Sequence, residues 1–192
     1  MTNLKKNFII SLMGVDGAGK TSLAKILIKK NKNFKYLHLK PYILVPDLRR
    51  VIKDPHQQQE SSMVISFLRL LGWLISYKFF FLKNKIKKIY IFDRYVHDVL
   101  IDPLRYKHNL YLVLTKFMLS FFPKPDLWIF LNPSFKTIKT RKFELSDKEL
   151  KRQINEYTIF FSKKKNVLIL NTKINKKKSI ILIAKKIQKI IK

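Results

Sequence analysis

A chain of 192 residues fits one domain with at most a small lid, and a hydrophobic content of 47% marks it as globular rather than disordered. Lysine and arginine number 41 against 12 acids, a net charge of +29, and cysteine is absent, which excludes disulfides and cysteine-ligated zinc. The charge suits nucleic acid or an anionic membrane surface; it is equally what A/T-rich codon usage would produce. The lysines are spread in short runs such as Lys29-Lys30, Lys87-Lys88 and Lys163-Lys164-Lys165, without one stripe interleaved with aromatics. Solvated faces are the expectation, with no specific nucleic-acid partner.

In chain order, Phe8-Ile9-Ile10-Ser11-Leu12-Met13 has the length and composition of a buried strand. Met1 to Lys6 before it is polar and basic, so no signal peptide is expected and a cytoplasmic location is. Gly14-Val15-Asp16-Gly17-Ala18-Gly19-Lys20-Thr21 follows, a complete G-x-x-x-x-G-K-T, and Leu23, Ile26 and Leu27 then suit a helix. This strand–loop–helix context separates a phosphate-binding loop from a glycine-rich turn with no ligand. Small residues let consecutive backbone N–H groups wrap a phosphate, and the helix start adds unpaired donors. Gly14, Gly17, Ala18, Gly19, Lys20, Thr21 and Ser22 therefore read as the cradle for ATP. Lys20 reaches the β- and γ-phosphates and the Thr21 hydroxyl ligates Mg²⁺.

Phe34 to Leu39 reads as a second strand, and Tyr42 to Ser62, with Pro46, Pro55 and Gln57-Gln58-Gln59, as a loop with a short helix. Met63 to Leu82 is strongly apolar, yet its longest uncharged stretch, Leu70 to Tyr77, is far shorter than the ~20 residues of a membrane span. A long core helix is expected there. Ile86 to Phe92 is a third strand closed by Asp93-Arg94-Tyr95, and two helical stretches broken at Asp102-Pro103 come next. Asp126 to Leu131 is a fourth strand, with Asn132-Pro133 as N-cap and first helical position after it. Ser146-Asp147-Lys148-Glu149 is a capping box, Asn166 to Leu170 a fifth strand, and Ile180, Ile183, Ile187 and Ile190 line a final amphipathic helix. Five strands alternating with helices imply an α/β fold: a five-stranded parallel sheet with helices on both faces, in a single domain over 1–192.

In a parallel sheet, an acid closing a strand beside the first one faces the phosphate loop. Asp93 is placed to hold Mg²⁺, through water, and Arg94 to meet a phosphate; a local salt bridge is the plainer alternative. Arg94, Asp98 and Asp102 are spaced by four, so one helix would carry them as a stripe. Asp98 could instead pair with Arg94, and Asp102 before Pro103 is a natural N-cap. Arg105 binds the acceptor or answers Asp102. The four histidines show no metal-ligand spacing, and no guanine-specifying Asn-Lys-x-Asp follows the fourth strand.

Gly14 to Thr21, Asp93-Arg94-Tyr95 and Pro125-Asp126-Leu127 together resemble the thymidylate kinase group of P-loop nucleoside monophosphate kinases. The likeness runs from about residue 8 to residue 172 on three short motifs. It implies ATP-dependent phosphoryl transfer, with Mg²⁺, to thymidylate or another nucleoside monophosphate. It gives Asp16 a place near the acceptor's sugar hydroxyl and Arg94 a contact with the acceptor phosphate. A lid around 141–152 would supply a cation to the moving phosphoryl group, Arg141 first and Arg152 second, with Lys142 also available. Asp98 and Arg105, from their spacing rather than from the resemblance, stand beside these as further acceptor candidates. The chain departs from the family where His38-Leu39-Lys40-Pro41-Tyr42 replaces an Arg-Glu-Pro-Gly-Gly-like segment and where Asn132 replaces an acid. Those departures keep a sugar- or lipid-linked phosphate, or a nucleotide-gated binding module for nucleic acid or membrane, as alternatives. A homodimer and membrane-surface contact are left open, and no transmembrane segment is expected.

Overall fold

The computed structural model describes residues 6–31, 33–40, 59–84, 87–141, 145–171 and 176–191. The chain forms two compact units, one of Met1–His38, Ile86–Tyr95 and Pro125–Lys192, the other of Leu39–Lys85 and Val96–Lys124. In the first, β1 (Phe8–Met13), β2 (Phe34–His38), β3 (Ile89–Asp93), β4 (Leu127–Leu131) and β5 (Val167–Leu170) make one sheet in the order β2-β3-β1-β4-β5. Every pairing is parallel. β1, β3 and β4 are buried along their whole length, which is why they read as unbroken apolar runs. The edge strand β2 exposes Lys35 and Tyr36, a composition that discourages further pairing.

α1 (Lys20–Lys30) connects β1 to β2, and α5 (Asp147–Ser162) connects β4 to β5. These connections run in opposite directions along the sheet, so right-handed crossovers put the two helices on opposite faces. α5 buries Tyr157 and Phe161, which stack on Phe130 with ring centroids 5.6 and 4.9 Å away. α6 (Lys176–Ile191) buries Ile183 and Ile187, with Ile180 and Ile190 half-buried on the same face. At the N-terminal edge of the sheet, the Asp126 carboxylate accepts the Ile9 N–H at 2.8 Å, and the Asp126 N–H reaches the Ile9 carbonyl at 2.9 Å. Asp126 thus clamps β1 to β4 at the end away from the glycine loop. Burial, with the Asp126 charge beside it, holds the Tyr95 phenol well above its usual pKa.

One local expectation needs correction. The helix after β4, α4 (Phe135–Arg141), starts later than Asn132-Pro133 would have it, and Ser134 Oγ accepts the Thr137 N–H at 3.4 Å in the capping role. Asn132 instead prolongs the sheet, its N–H reaching the Leu170 carbonyl at 3.0 Å. Ser146 caps α5 as its sequence implies, accepting from Glu149 N at 3.2 Å.

The second unit holds α2 (Met63–Lys83), two 3₁₀ turns at Val96–Leu100 and Leu104–Tyr106, and α3 (Leu112–Ser120). The expected loop lies for most of its length, 42–58, outside the described residues, as does Lys142. α2 is a core helix on one face only. Leu70, Trp73 and Tyr77 are buried, while Val64, Leu68, Ile75, Phe79 and Leu82 form an exposed stripe at helical spacing. Among the described residues it is the one helix long and apolar enough to cross a membrane by length and composition, and 28% of that window is buried. Arg69 ties it within the unit, donating to the carbonyls of Tyr106 and Lys107 and, at 2.8 Å, to Ser61 Oγ. Tyr77 donates to the Leu39 carbonyl.

Two stability measurements follow from this packing. A Cβ on Gly14 would lie 2.5 Å from the Leu131 carbonyl oxygen at a φ of +144°, whereas one on Gly72 in α2 meets nothing within 4 Å. Urea unfolding is expected to show Gly14→Ala losing about 2 kcal/mol or more and Gly72→Ala gaining roughly 0.5–1 kcal/mol. Buried His108 shares a 2.9 Å hydrogen bond with Thr115, and desolvation, with the Arg69 charge adding to it, lowers its pKa. Its contribution is full above the unfolded value of about 6.5 and is lost as pH falls through the lowered folded value. Stability should therefore decline below about pH 6.5, and His108→Gln should flatten that slope.

Candidate active site

β1 ends at Met13, beside the centre of the sheet, where the connections begin to diverge. In parallel α/β sheets this switch point, at the carboxyl edge, is where ligands bind. The glycine loop fills it. Val15 accepts the Ala18 N–H at 3.2 Å, and Gly19, at a φ of +93°, turns the chain into α1 without any side-chain cap. The first N–H groups of α1 are left to point at an anion. Lys20, only 6% exposed, lies across the loop and donates to the Gly14 and Val15 carbonyls at 2.7 and 2.8 Å.

Asp93 closes β3 opposite Leu12 of β1, which brings it to the loop. Its Oδ2 accepts from Thr21 Oγ1 at 2.5 Å, so the two residues expected to serve the metal touch. A hydroxyl that donates its proton to a carboxylate keeps its lone pairs for a cation, and both groups are hard oxygen donors. Thr21 and Asp93 therefore fit Mg²⁺ by their chemistry. Tyr36 of β2 donates to the same Oδ2 at 3.0 Å. Nothing in the sequence singled it out: finding it requires the register that sets His38 beside Asp93.

Arg94 departs from expectation in conformation. With a φ of +71° it is left-handed, not the first residue of a helix, and Asp98 follows on a 3₁₀ turn. The stripe of Arg94, Asp98 and Asp102 on one helix does not form. The left-handed turn aims Arg94 back over the loop, where its guanidinium pairs with Asp16. Lys20 Nζ stands 3.8 Å from the same carboxylate. One acid thus lies between two cations, all three largely buried. Arg141, at the end of α4, comes within 3.5 Å of the Gly17 carbonyl, while Arg152 is held by Glu149 at 2.6 Å on the exposed side of α5. In the second unit Asp98 accepts from the Tyr106 hydroxyl at 3.2 Å, and Asp102 accepts the Arg105 N–H at 3.4 Å, close to the cap its sequence implied. Beyond β4 and β5, a groove of about 610 Å³ lined by Asn132, Ser134, Phe135, Asn155 and Asn171 offers amides and an aromatic wall.

The thymidylate kinase family profile matches residues 12–192. The chain belongs to the thymidylate kinase family. It is a nucleotide kinase, moving a phosphoryl group to a nucleoside monophosphate. No curated protein sequence matches it significantly. Among solved structures it is similar to a thymidylate kinase from Candida albicans, with a TM-score of 0.65 and 17% identity over 97% of this chain and 94% of that one. It is similar also to a deoxyadenosine kinase from M. mycoides with bound dATP, at TM-score 0.57 and 17% identity over 95% and 100% of the two chains. A thymidylate kinase from Ehrlichia chaffeensis gives 0.58 and 18%, over 96% and 99%. At these identities the likeness is one of fold.

The charge cluster can be tested directly. Asp16→Asn leaves Arg94 and Lys20 buried without their shared anion, an expected loss of about 3 kcal/mol in urea unfolding. Added pyrophosphate, supplying the missing negative charge, should restore more stability to this variant than to the parent protein.

Proposed function

We propose that this kinase transfers the γ-phosphoryl group of ATP, with Mg²⁺, to thymidylate or another nucleoside monophosphate, as one kinase domain over 1–192. The observation that carries this reading is the convergence of Lys20, Thr21, Asp93, Arg94 and Arg141 on one glycine loop. Phosphoryl transfer needs little covalent help from a protein; positioning and neutralisation of charge account for most of the rate. Gly14, Gly17, Ala18, Gly19, Lys20, Thr21 and Ser22 hold the triphosphate, with Lys20 on its β- and γ-phosphates. Thr21 and Asp93 would hold the metal, which would offset the negative charge of the triphosphate. Arg94 exchanges Asp16 for the acceptor phosphate, and Asp16 is freed toward the acceptor's sugar. Arg141 supplies the cation from the lid side.

Arg152 is set aside, because its guanidinium is committed to Glu149. Arg69 is tied to backbone carbonyls and to Ser61 Oγ within its own unit. A homodimer belongs to the same proposal. It is supported by the apolar stripe of α2, whose stretch from Met63 to Tyr77 contains no lysine, so two copies meeting there escape most of the repulsion of a +29 chain. A cytoplasmic setting, where ATP and its acceptors are found, completes it.

The test is ADP release from Mg-ATP across thymidylate, the other nucleoside monophosphates, several sugar phosphates and a blank. Stimulation by one or more nucleoside monophosphates is expected; stimulation by sugar phosphates alone would overturn the reading. Lys20→Ala and Arg141→Ala should each lower turnover by about 10²-fold or more, the scale of one lost donor to a developing charge. Arg141→Ala, a change at an exposed side chain, should leave stability within about 0.5 kcal/mol. Unchanged turnover in both variants would remove the site assignment.

A further inference from the structure

The carboxylate that closes β3 is held from two sides. Thr21 reaches Asp93 Oδ2 from the start of α1, and Tyr36 reaches the same oxygen from the neighbouring strand, at 2.5 and 3.0 Å. Asp93 is only 1% exposed, and among the described residues its Oδ1 accepts no hydrogen bond. We propose that Tyr36 is a positioning residue for the metal. Its hydroxyl fixes the Asp93 carboxylate so that Oδ2 is occupied by two hydroxyl donors while Oδ1 stays available to the cation and its waters. The inference rests on reading Thr21 and Asp93 as the metal-holding pair.

The geometry follows from strand register. β2 and β3 are parallel, with Tyr36 level with Ile91 and His38 level with Asp93. Tyr36 is therefore two residues short of the carboxylate, a rise of roughly 6.6 Å, on the side of the strand that His38 shares. A phenol directed along the strand spans that gap, and a shorter side chain does not. Tyr36 is also 38% exposed, so the core does not require it. What the position uses is the oxygen. A carboxylate with one hydroxyl donor can rotate about its χ2 bond, because terminal torsions of this kind are broad. Two donors arriving from different elements leave one orientation.

Groups that orient metal ligands without touching the metal typically alter metal affinity by 10–100-fold when removed. The discriminating variant is Tyr36→Phe, which keeps the ring and removes only the hydroxyl. ADP affinity measured calorimetrically across a Mg²⁺ series, in parent and variant, is the first readout. The concentration of Mg²⁺ giving half of the full enhancement is expected to rise about tenfold in the variant, with ADP affinity in EDTA unchanged. Turnover should show the same shift in Mg²⁺ requirement, with kcat at saturating Mg²⁺ altered by less than about twofold.

A merely structural phenol would lower the melting temperature and leave the Mg²⁺ dependence alone. That result, with the parent protein clearly Mg²⁺-dependent, overturns the role of Tyr36 and leaves the metal pair standing. If ADP affinity and turnover of the parent and of Thr21→Ala are both indifferent to Mg²⁺, the metal pair itself is wrong and this inference falls with it.

Discussion

The parallel register that sets Leu12 opposite Asp93 and Met13 opposite Phe130 is the constraint on which the site depends. It ends three buried strands at nearly one level, so the loop after β1, the acid closing β3 and the backbone after β4 meet. The fit is close: the space a Cβ would need at Gly14 is filled by the Leu131 carbonyl oxygen. Close approach of that kind demands glycine for reasons independent of any ligand. Gly14 is therefore required by sheet packing, whatever the loop binds.

Charge is organised differently inside and outside. Buried ion pairs seldom add net stability, because desolvation consumes most of the attraction. Asp16 between Lys20 and Arg94 offsets the charge of two buried cations rather than adding much net stability. On the surface, pairs such as Lys139 with Asp147 and Arg152 with Glu149 contribute little individually. With 41 bases and 12 acids, most surface cations have no acid to meet. Lys20, Arg94, Asp93, Asp98 and Asp102 are buried by contrast, and each has an acid, a base, a hydroxyl or a backbone N–H beside it.

The second unit follows another logic. α2 is apolar nearly all round, which in a globular protein ordinarily signals complete burial. Here one face carries Leu70, Trp73 and Tyr77 into the unit, the opposite face is exposed, and Arg69 is drawn inward to backbone carbonyls. The helix thus packs within its unit along one face and leaves the other exposed.

Much of this was legible in the residues. β1 and its glycine loop can be read from composition and spacing because their cause is local: a buried strand is apolar on both faces, and the loop needs glycine and lysine at set intervals. Ser146 was legible as a cap for the same reason. The start of α4 was not, since Asn132 and Ser134 are both competent caps and only the pairing of Asn132 with Leu170 excludes the first. Periodicity misled at Arg94, Asp98 and Asp102: spacing by four implies one face only if the chain is helical, and a left-handed residue at 94 breaks that premise. Tyr36 at Asp93 and Arg141 at Gly17 were beyond any reading of the chain as a string, Arg141 as a contact rather than as a candidate. They join residues 57 and 124 positions apart through strand register and helix placement. Local chemistry determined the glycine loop and the class of reaction. Which side chains gather round it was decided by tertiary structure, because distance between elements is a property of packing and leaves no periodic trace in the sequence.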